Sequence, residues 1–197
     1  VEGRLAGPLT LAQLRWRDPD NGVDARVARV HMDLALLDLL AWRVHFTTLE
    51  VADVDVALAT LPPRPEQPAG SISLAAPIDI VLDRLALDAA RISRDGEPLF
   101  ALDRLDLAGA WTRLGISIQS LALRAPDGQV DLAGTLTARA GLPGKGKVDF
   151  HWQAGTTRLA GTLAAQGDGK RTTVDLTLTE PTPARIEASV QQTPTWP

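Results

Sequence analysis

Six stretches of this chain place apolar residues at positions i, i+2, i+5 and i+7, and few folds can use that spacing. Three of them are Leu9, Leu11, Leu14, Trp16, then Ala25, Val27, Val30, Met32, then Val44, Phe46, Leu49, Val51. The others are Ile80, Leu82, Leu85, Leu87, then Phe100, Leu102, Leu105, Leu107, then Ile116, Ile118, Leu121, Leu123. A strand steps by two throughout and a helix by three or four, so the middle step fits neither. On a helix the offsets scatter round the cylinder, and on a flat strand the second pair turns to the wrong face. A β-bulge at the intervening pair, such as Asp83-Arg84, Asp103-Arg104 or Gln119-Ser120, lets two residues oppose one and restores the apolar face beyond it. Bulges also bend their strands, so matching bulges in neighbouring strands curl a sheet around its apolar side. Two short strands separated by a kink leave the same spacing, and that alternative stays open.

The rest of the chain supports a β reading. Turn signals recur at "DPDNG", "RDGEP", "APDG", "LPGKG" and "QGDGK", with Val-, Ile-, Leu- and Thr-rich runs between them. Regular punctuation of this kind predicts an antiparallel meander, with "DG" at 95–96 and 127–128 and "GKGK" (Gly144 to Lys147) as hairpin turns. In "VDLAGTLTA" Val130, Leu132, Gly134 and Leu136 share one face. In "TVDLTLT" Val174, Leu176 and Leu178 oppose threonines and Asp175. Such alternation marks strands that are apolar on one side and wet on the other. "LPPRPEQPAGS" (61–71) predicts a long loop, since its prolines forbid a central strand. "DLALLDLLAWR" lacks Gly and Pro and predicts a short helix over 34–42, with Asp33 as N-cap and Leu36, Leu37 and Leu40 on one face. All 197 residues read as a single β segment, and a start at Val1 with an end at "TPTWP" suggests a piece of a longer chain.

Composition removes several function classes. With 20 basic and 24 acidic residues the net charge is -4, and no basic patch with interleaved aromatics occurs, so no nucleic-acid partner is expected. Zero Cys excludes disulfides and thiolate metal sites. The longest apolar run, "LALLDLLAW", is too short to span a bilayer and contains Asp38. The spacing of His31, His45 and His151 matches no metal motif, and alternation points His31 and His45 toward water. No G-x-S-x-G elbow or P-loop is present. Asp83, Asp103, Asp131 and Asp175 read as solvated charge. Trp16, Trp42, Trp111, Trp152 and Trp196 are scattered, which favours core or rim packing over sugar stacking. Neither an enzyme nor a cofactor is expected.

The opening "VEGRLAGPLTLAQLRWRD", the unit "LALLDLLAWRVHFTTLEVADVDVAL" and the later "LFALDRLDLAGAW" and "SLALRAPDGQVDLAGTLTA" resemble TamB-like members of the AsmA-like, bridge-like lipid transfer proteins. The likeness runs over essentially the whole chain and is most telling in the first 60 residues. It implies an all-β fold, an elongated, curled sheet forming a trough with an apolar interior, plus one short helix. It also implies a segment of a periplasmic bridge that carries phospholipid acyl chains between the membranes of a Gram-negative cell. An inner-membrane anchor and a carboxy-terminal domain that meets a TamA-like outer-membrane protein would lie outside this piece.

On that reading the first-half lining is Leu9, Leu11, Leu14, Val27, Val30, Phe46, Leu49, Val51, Ile80, Leu82, Leu85, Leu87, Leu102, Leu105 and Leu107. Ile116, Ile118, Leu121, Leu123, Val130, Leu132, Leu136, Val174, Leu176 and Leu178 complete it. Two alternatives remain at this point. Sheets with one apolar face ordinarily close into a sandwich or barrel with a dry core. A scaffold of an outer-membrane assembly factor, its core filled by side chains, would show the same pattern.

Overall fold

The computed structural model describes residues 2–3, 7–60, 75–138 and 143–191. They form one sheet in which sequence order is also spatial order. Its strands are β1 (Glu2–Gly3), β2 (Leu9–Asp18), β3 (Val23–Leu34), β4 (Arg43–Leu58), β5 (Asp79–Arg94) and β6 (Glu97–Thr112). They continue as β7 (Gly115–Ala125), β8 (Gly128–Thr137), β9 (Gly144–Ala154), β10 (Thr157–Gly167), β11 (Arg171–Glu180) and β12 (Ala184–Gln191). The first and last strands are not paired with each other, so the sheet is a curled ribbon and not a barrel. At about 4.8 Å per strand, twelve strands extend roughly 50 Å along the hydrogen-bonding direction.

The sheet is not antiparallel throughout, as the meander reading expected. β4 and β5 pair in parallel, Arg43 with Asp79 through Leu58 with Arg94. A parallel pair needs a connection that returns the length of the strand, and residues 59–78 supply it, whereas a hairpin turn cannot. The expected Pro-rich loop at 61–71 falls within that connection and lies outside the described residues.

Two transverse lines of irregular pairing cross the ribbon. Along the first, the ladders pass over Gln13 and Ala28 between β2 and β3, Ala28 and Asp53 between β3 and β4, then Asp53 with Ala89 and Ala89 with Asp103. Register is unchanged across it, because each strand carries its own extra residue. Gln13, Asp53 and Ala89 take φ of 55, 53 and 58°, left-handed conformations that turn the chain locally. Along the second line, Asp83 and Arg84 of β5 oppose Ala108 of β6, and Gln119 and Ser120 of β7 oppose Ala133 of β8. Each of the six sequence spacings breaks at one of these lines. The 16-residue β4, β5 and β6 have a contour of about 53 Å each at ~3.3 Å per residue, and all three cross both lines. Strands bent in this way give the sheet its curl.

Strand ends form two long rims. The expected α-helix over 34–42 is a 3-10 helix, Leu36–Ala41, on one rim between β3 and β4. Its N-cap is Ala35 and not Asp33, because Asp33 is committed to β3 opposite Thr48. Bonds from Asp38 N to Ala35 O and from Trp42 N to Leu39 O close three-residue turns, which aligns Leu37 with Leu40 and separates Leu36 from them. The Asp95-Gly96 turn forms as expected, with φ of 50 and 88°. The "APDG" turn sits one residue earlier, at Pro126-Asp127, with Gly128 already in β8. "GKGK" opens β9 instead of turning. Gly144 faces Leu136 so closely that a Cβ would come within 2.4 Å of Thr135 O.

Candidate functional site: an open apolar face

Cross-strand partners in a sheet stand on the same face, so the register assembles side chains from distant parts of the chain into rows. One row runs Leu11, Val30, Val51, Leu87, Leu105, Leu123, Val130, Phe150, Gly161, Leu178 and Ala184. A second runs Leu9, Met32, Leu49, Leu85, Leu107, Leu121, Leu132, Val148, Leu163, Leu176 and Ile186. Neither contains a polar residue from β2 to β12. A third row holds Leu34, Phe46, Leu82, Gly109, Ile118, Gly134, Gly146, Ala165 and Val174. Toward the helix rim a fourth includes Val44, Ile80, Trp111, Ile116 and Leu136. Beyond the first fold line stand Leu14, Val27, Val54, Ala90 and Leu102. Every lining position expected from sequence falls on these rows, and all of them face one side.

That side is not filled. Among the described residues the buried apolar positions are Val30, Ala76, Ala86, Leu102 and Ala160, and only Val30 and Leu102 belong to the rows. Nor is any large side chain among the described residues fully buried. A closed sandwich of this many strands buries whole leucines and aromatics at its centre, so the dry-core expectation is not met. Most of each row is half-buried, including Leu121, Leu132, Val148, Leu163 and Leu176, and Leu14, Trp111, Ala184 and Ile186 are exposed; on the other face Ala133 and Ala164 are exposed while Ala86 and Ala160 are buried. Where glycines thin the third and fourth rows, a hollow of about 380 Å³ opens between Ile116, Ile118, Leu136, Gly134, Gly146 and Ala165.

The opposite face is charged and wet. Its central row reads Thr10, His31, Glu50, Ala86, Asp106, Ala122, Asp131, Asp149, Thr162, Thr177 and Arg185. Surface ion pairs lace it: Arg104 with Asp88 and Asp106, Arg124 with Asp131, Lys147 with Asp149, Arg185 with Asp175. Hydrogen bonding from Arg15 draws the Asp24 carboxyl down to about 2, helped by the nearby Arg17 and Arg26 charges. His45 does not simply point into water as strand alternation suggested. Its Nδ1 donates to Asp38 Oδ2 at 2.7 Å and its Nε2 to Asp83 Oδ2 at 2.9 Å, joining the 3-10 helix to β4 and β5. An imidazole donating at both nitrogens is the cation, and the two carboxylates raise its pKa. Among the described residues no cluster could hold a metal ion. Trp16, Trp42 and Trp111 are exposed at the rims, while Trp196 lies outside the described residues.

The family described as TamB, N-terminal domain, matches residues 1–113. The chain belongs to the TamB family. No curated protein and no solved structure matches it. TamB is a family of the bacterial envelope linked to outer-membrane assembly and lipid transport, and it is not a family of enzymes. The matched part of this TamB chain ends at β6, and β7 to β12 extend the same rows beyond it.

Sequence reasoning missed Val148, Phe150 and Leu163, although "KVDFHWQ" and "RLAGTLAA" carry them in plain alternation. It also missed Val54, Val56 and Ile92, which follow the first fold line in β4 and β5. The apolar step of three from Val51 to Val54 was the available signal.

Proposed function

We propose that this chain is a segment of a periplasmic bridge that carries phospholipid acyl chains along its apolar face between the inner and outer membranes. One observation carries the reading: two rows without a polar residue cross eleven strands of an unfilled, curled sheet. A phospholipid with two chains of about 16 carbons has some 30 methylenes, and exposing them costs on the order of 25 kcal/mol at ~0.8 kcal/mol each. A carrier therefore needs unbroken apolar cover and no strong polar trap, and these rows meet both demands. All 197 residues act as one unit in this reading. The longer protein is held at the inner membrane, works in the periplasm and engages a TamA-like outer-membrane partner.

Site-specific photo-crosslinking in cells tests the assignment. A probe at Leu105 or Leu121 captures phospholipid, and one at Asp103 or Asp131 does not. Equal capture on both faces, or none on either, defeats the proposal.

A further inference from the structure

The four most exposed large apolar side chains among the described residues are Leu40, Leu37, Leu114 and Trp42, at 84, 82, 73 and 72%, against 58% for the next, Trp16 and Val190. Two separate segments deliver them to one rim. Leu37, Leu40 and Trp42 come from the 3-10 helix and its C-cap, and Leu114 from the β6–β7 turn. The register brings these segments together: Arg43 pairs with Asp79, and Asp79 Oδ1 accepts the Arg113 backbone N–H at 3.2 Å. The result is a ridge of leucine and tryptophan along one rim, with Arg43 and Arg113 at its strand ends and the carboxylates of Asp38 and Asp79 beside them. Neither guanidinium forms an ion pair within the described residues.

The ridge is held in shape. His45 ties the helix to β4 and β5 through Asp38 and Asp83, and Trp42 sits in a left-handed conformation (φ 55°) with its N–H bonded to Leu39 O. Protruding leucines with an indole and flanking arginines match the boundary between headgroups and acyl chains. Apolar tips enter the acyl region there, indole rests at headgroup level and guanidinium meets phosphate. A lipid surface offers phosphate to Arg43 and Arg113, which form no ion pair with the rim's own carboxylates among the described residues. We infer that this rim docks on an anionic lipid bilayer through Leu37, Leu40, Trp42 and Leu114, with Arg43 and Arg113 on lipid phosphates.

The test is flotation of the chain with vesicles of phosphatidylethanolamine and phosphatidylglycerol. Leu37→Ser with Leu40→Ser, and separately Leu114→Ser, should each lower partitioning at least about fivefold, given the area each tip withdraws from water. Arg43→Glu with Arg113→Glu should lower it about tenfold or more. Trp16→Ser on the opposite rim serves as the exposed apolar control and should change nothing. Quenching of Trp42 by brominated lipid, in a chain whose other tryptophans are Phe, should place the indole near the headgroups. Unchanged flotation in the ridge variants with circular dichroism intact overturns the inference, as does loss of a concentration-dependent dimer in those variants without any vesicle effect. Vesicle binding without lipid transfer supports this docking while counting against the transport proposal, so the two fail separately.

Discussion

Leu105 is the most exacting place to interrupt the apolar face, because it stands in the row that runs from Leu11 to Ala184, between Leu87 and Leu123. Leu105→Asp removes a half-buried apolar side chain, which costs the fold about 1 kcal/mol, since full burial is worth roughly 1.5–3. The sheet survives such a loss. The effect on a passing acyl chain is larger. A carboxylate at that point keeps some four methylenes from apolar cover, about 3 kcal/mol at ~0.8 kcal/mol each. At 1.36 kcal/mol per decade, passage slows by roughly 100- to 200-fold. The assay is transfer of fluorescent phospholipid between donor and acceptor vesicles by the full-length protein, with Asp131→Asn on the opposite face as control. A Leu105→Asp rate within about twofold of the unaltered protein, at unchanged circular dichroism, refutes the reasoning and favours a scaffold whose face carries nothing.

Three further outcomes follow from the geometry. His45 has a raised folded pKa, so its brace contributes fully below the unfolded imidazole value near ~6.5 and is lost as pH rises through the folded value. His45→Gln should therefore cost about 1–2 kcal/mol in urea unfolding at low pH and much less at high pH, Asp83 being partly exposed. Asp24 has a folded pKa of about 2, so its pairing with Arg15 is intact above the ordinary carboxylate range and disappears as pH falls toward that value. In Arg15→Ala its carboxyl should titrate closer to the ordinary range by carbon NMR. Gly109→Val places a Cβ 2.4 Å from Ser117 O and 3.2 Å from Ile118 Cα, where β6 meets β7 at the second fold line. A loss of about 1–3 kcal/mol is expected in thermal unfolding, and none if the strands can part there freely.

The curl was legible because bulges leave a trace in spacing. Leu82 to Leu85 and Ile118 to Leu121 step by three where two residues oppose one. It was legible only in part: Val51 to Val54 marks the break at Asp53 by the same step of three, whereas Ala89 interrupts β5 between Asp88 and Ala90, residues too polar or too small to mark it. The parallel pairing of β4 with β5 left one hint, a 20-residue connection too long for a hairpin turn, and the Pro-rich composition alone reads equally as a loop on either topology. Asp33 looked like a helix cap, but pairing with Thr48 outweighs a cap on so short a helix. The tie from His45 to Asp83 spans 38 residues and depends on that same parallel register, so no local pattern announces it. Which apolar residues share a face was readable over most of the sheet, the exceptions being β9, β10 and the strand ends beyond Asp53 and Ala89. Whether anything covers that face was not, because alternation is identical in an open sheet and a closed one.

The two polar-free rows have a kinetic corollary. An alkyl tail shifted by one strand, about 4.8 Å, meets nearly the same surroundings as before, so no station along the ribbon is a deep well. Such a track is a one-dimensional random walk with shallow steps and no built-in arrow. If acyl chains travel it, net flux takes its sign from whichever mouth is supplied faster.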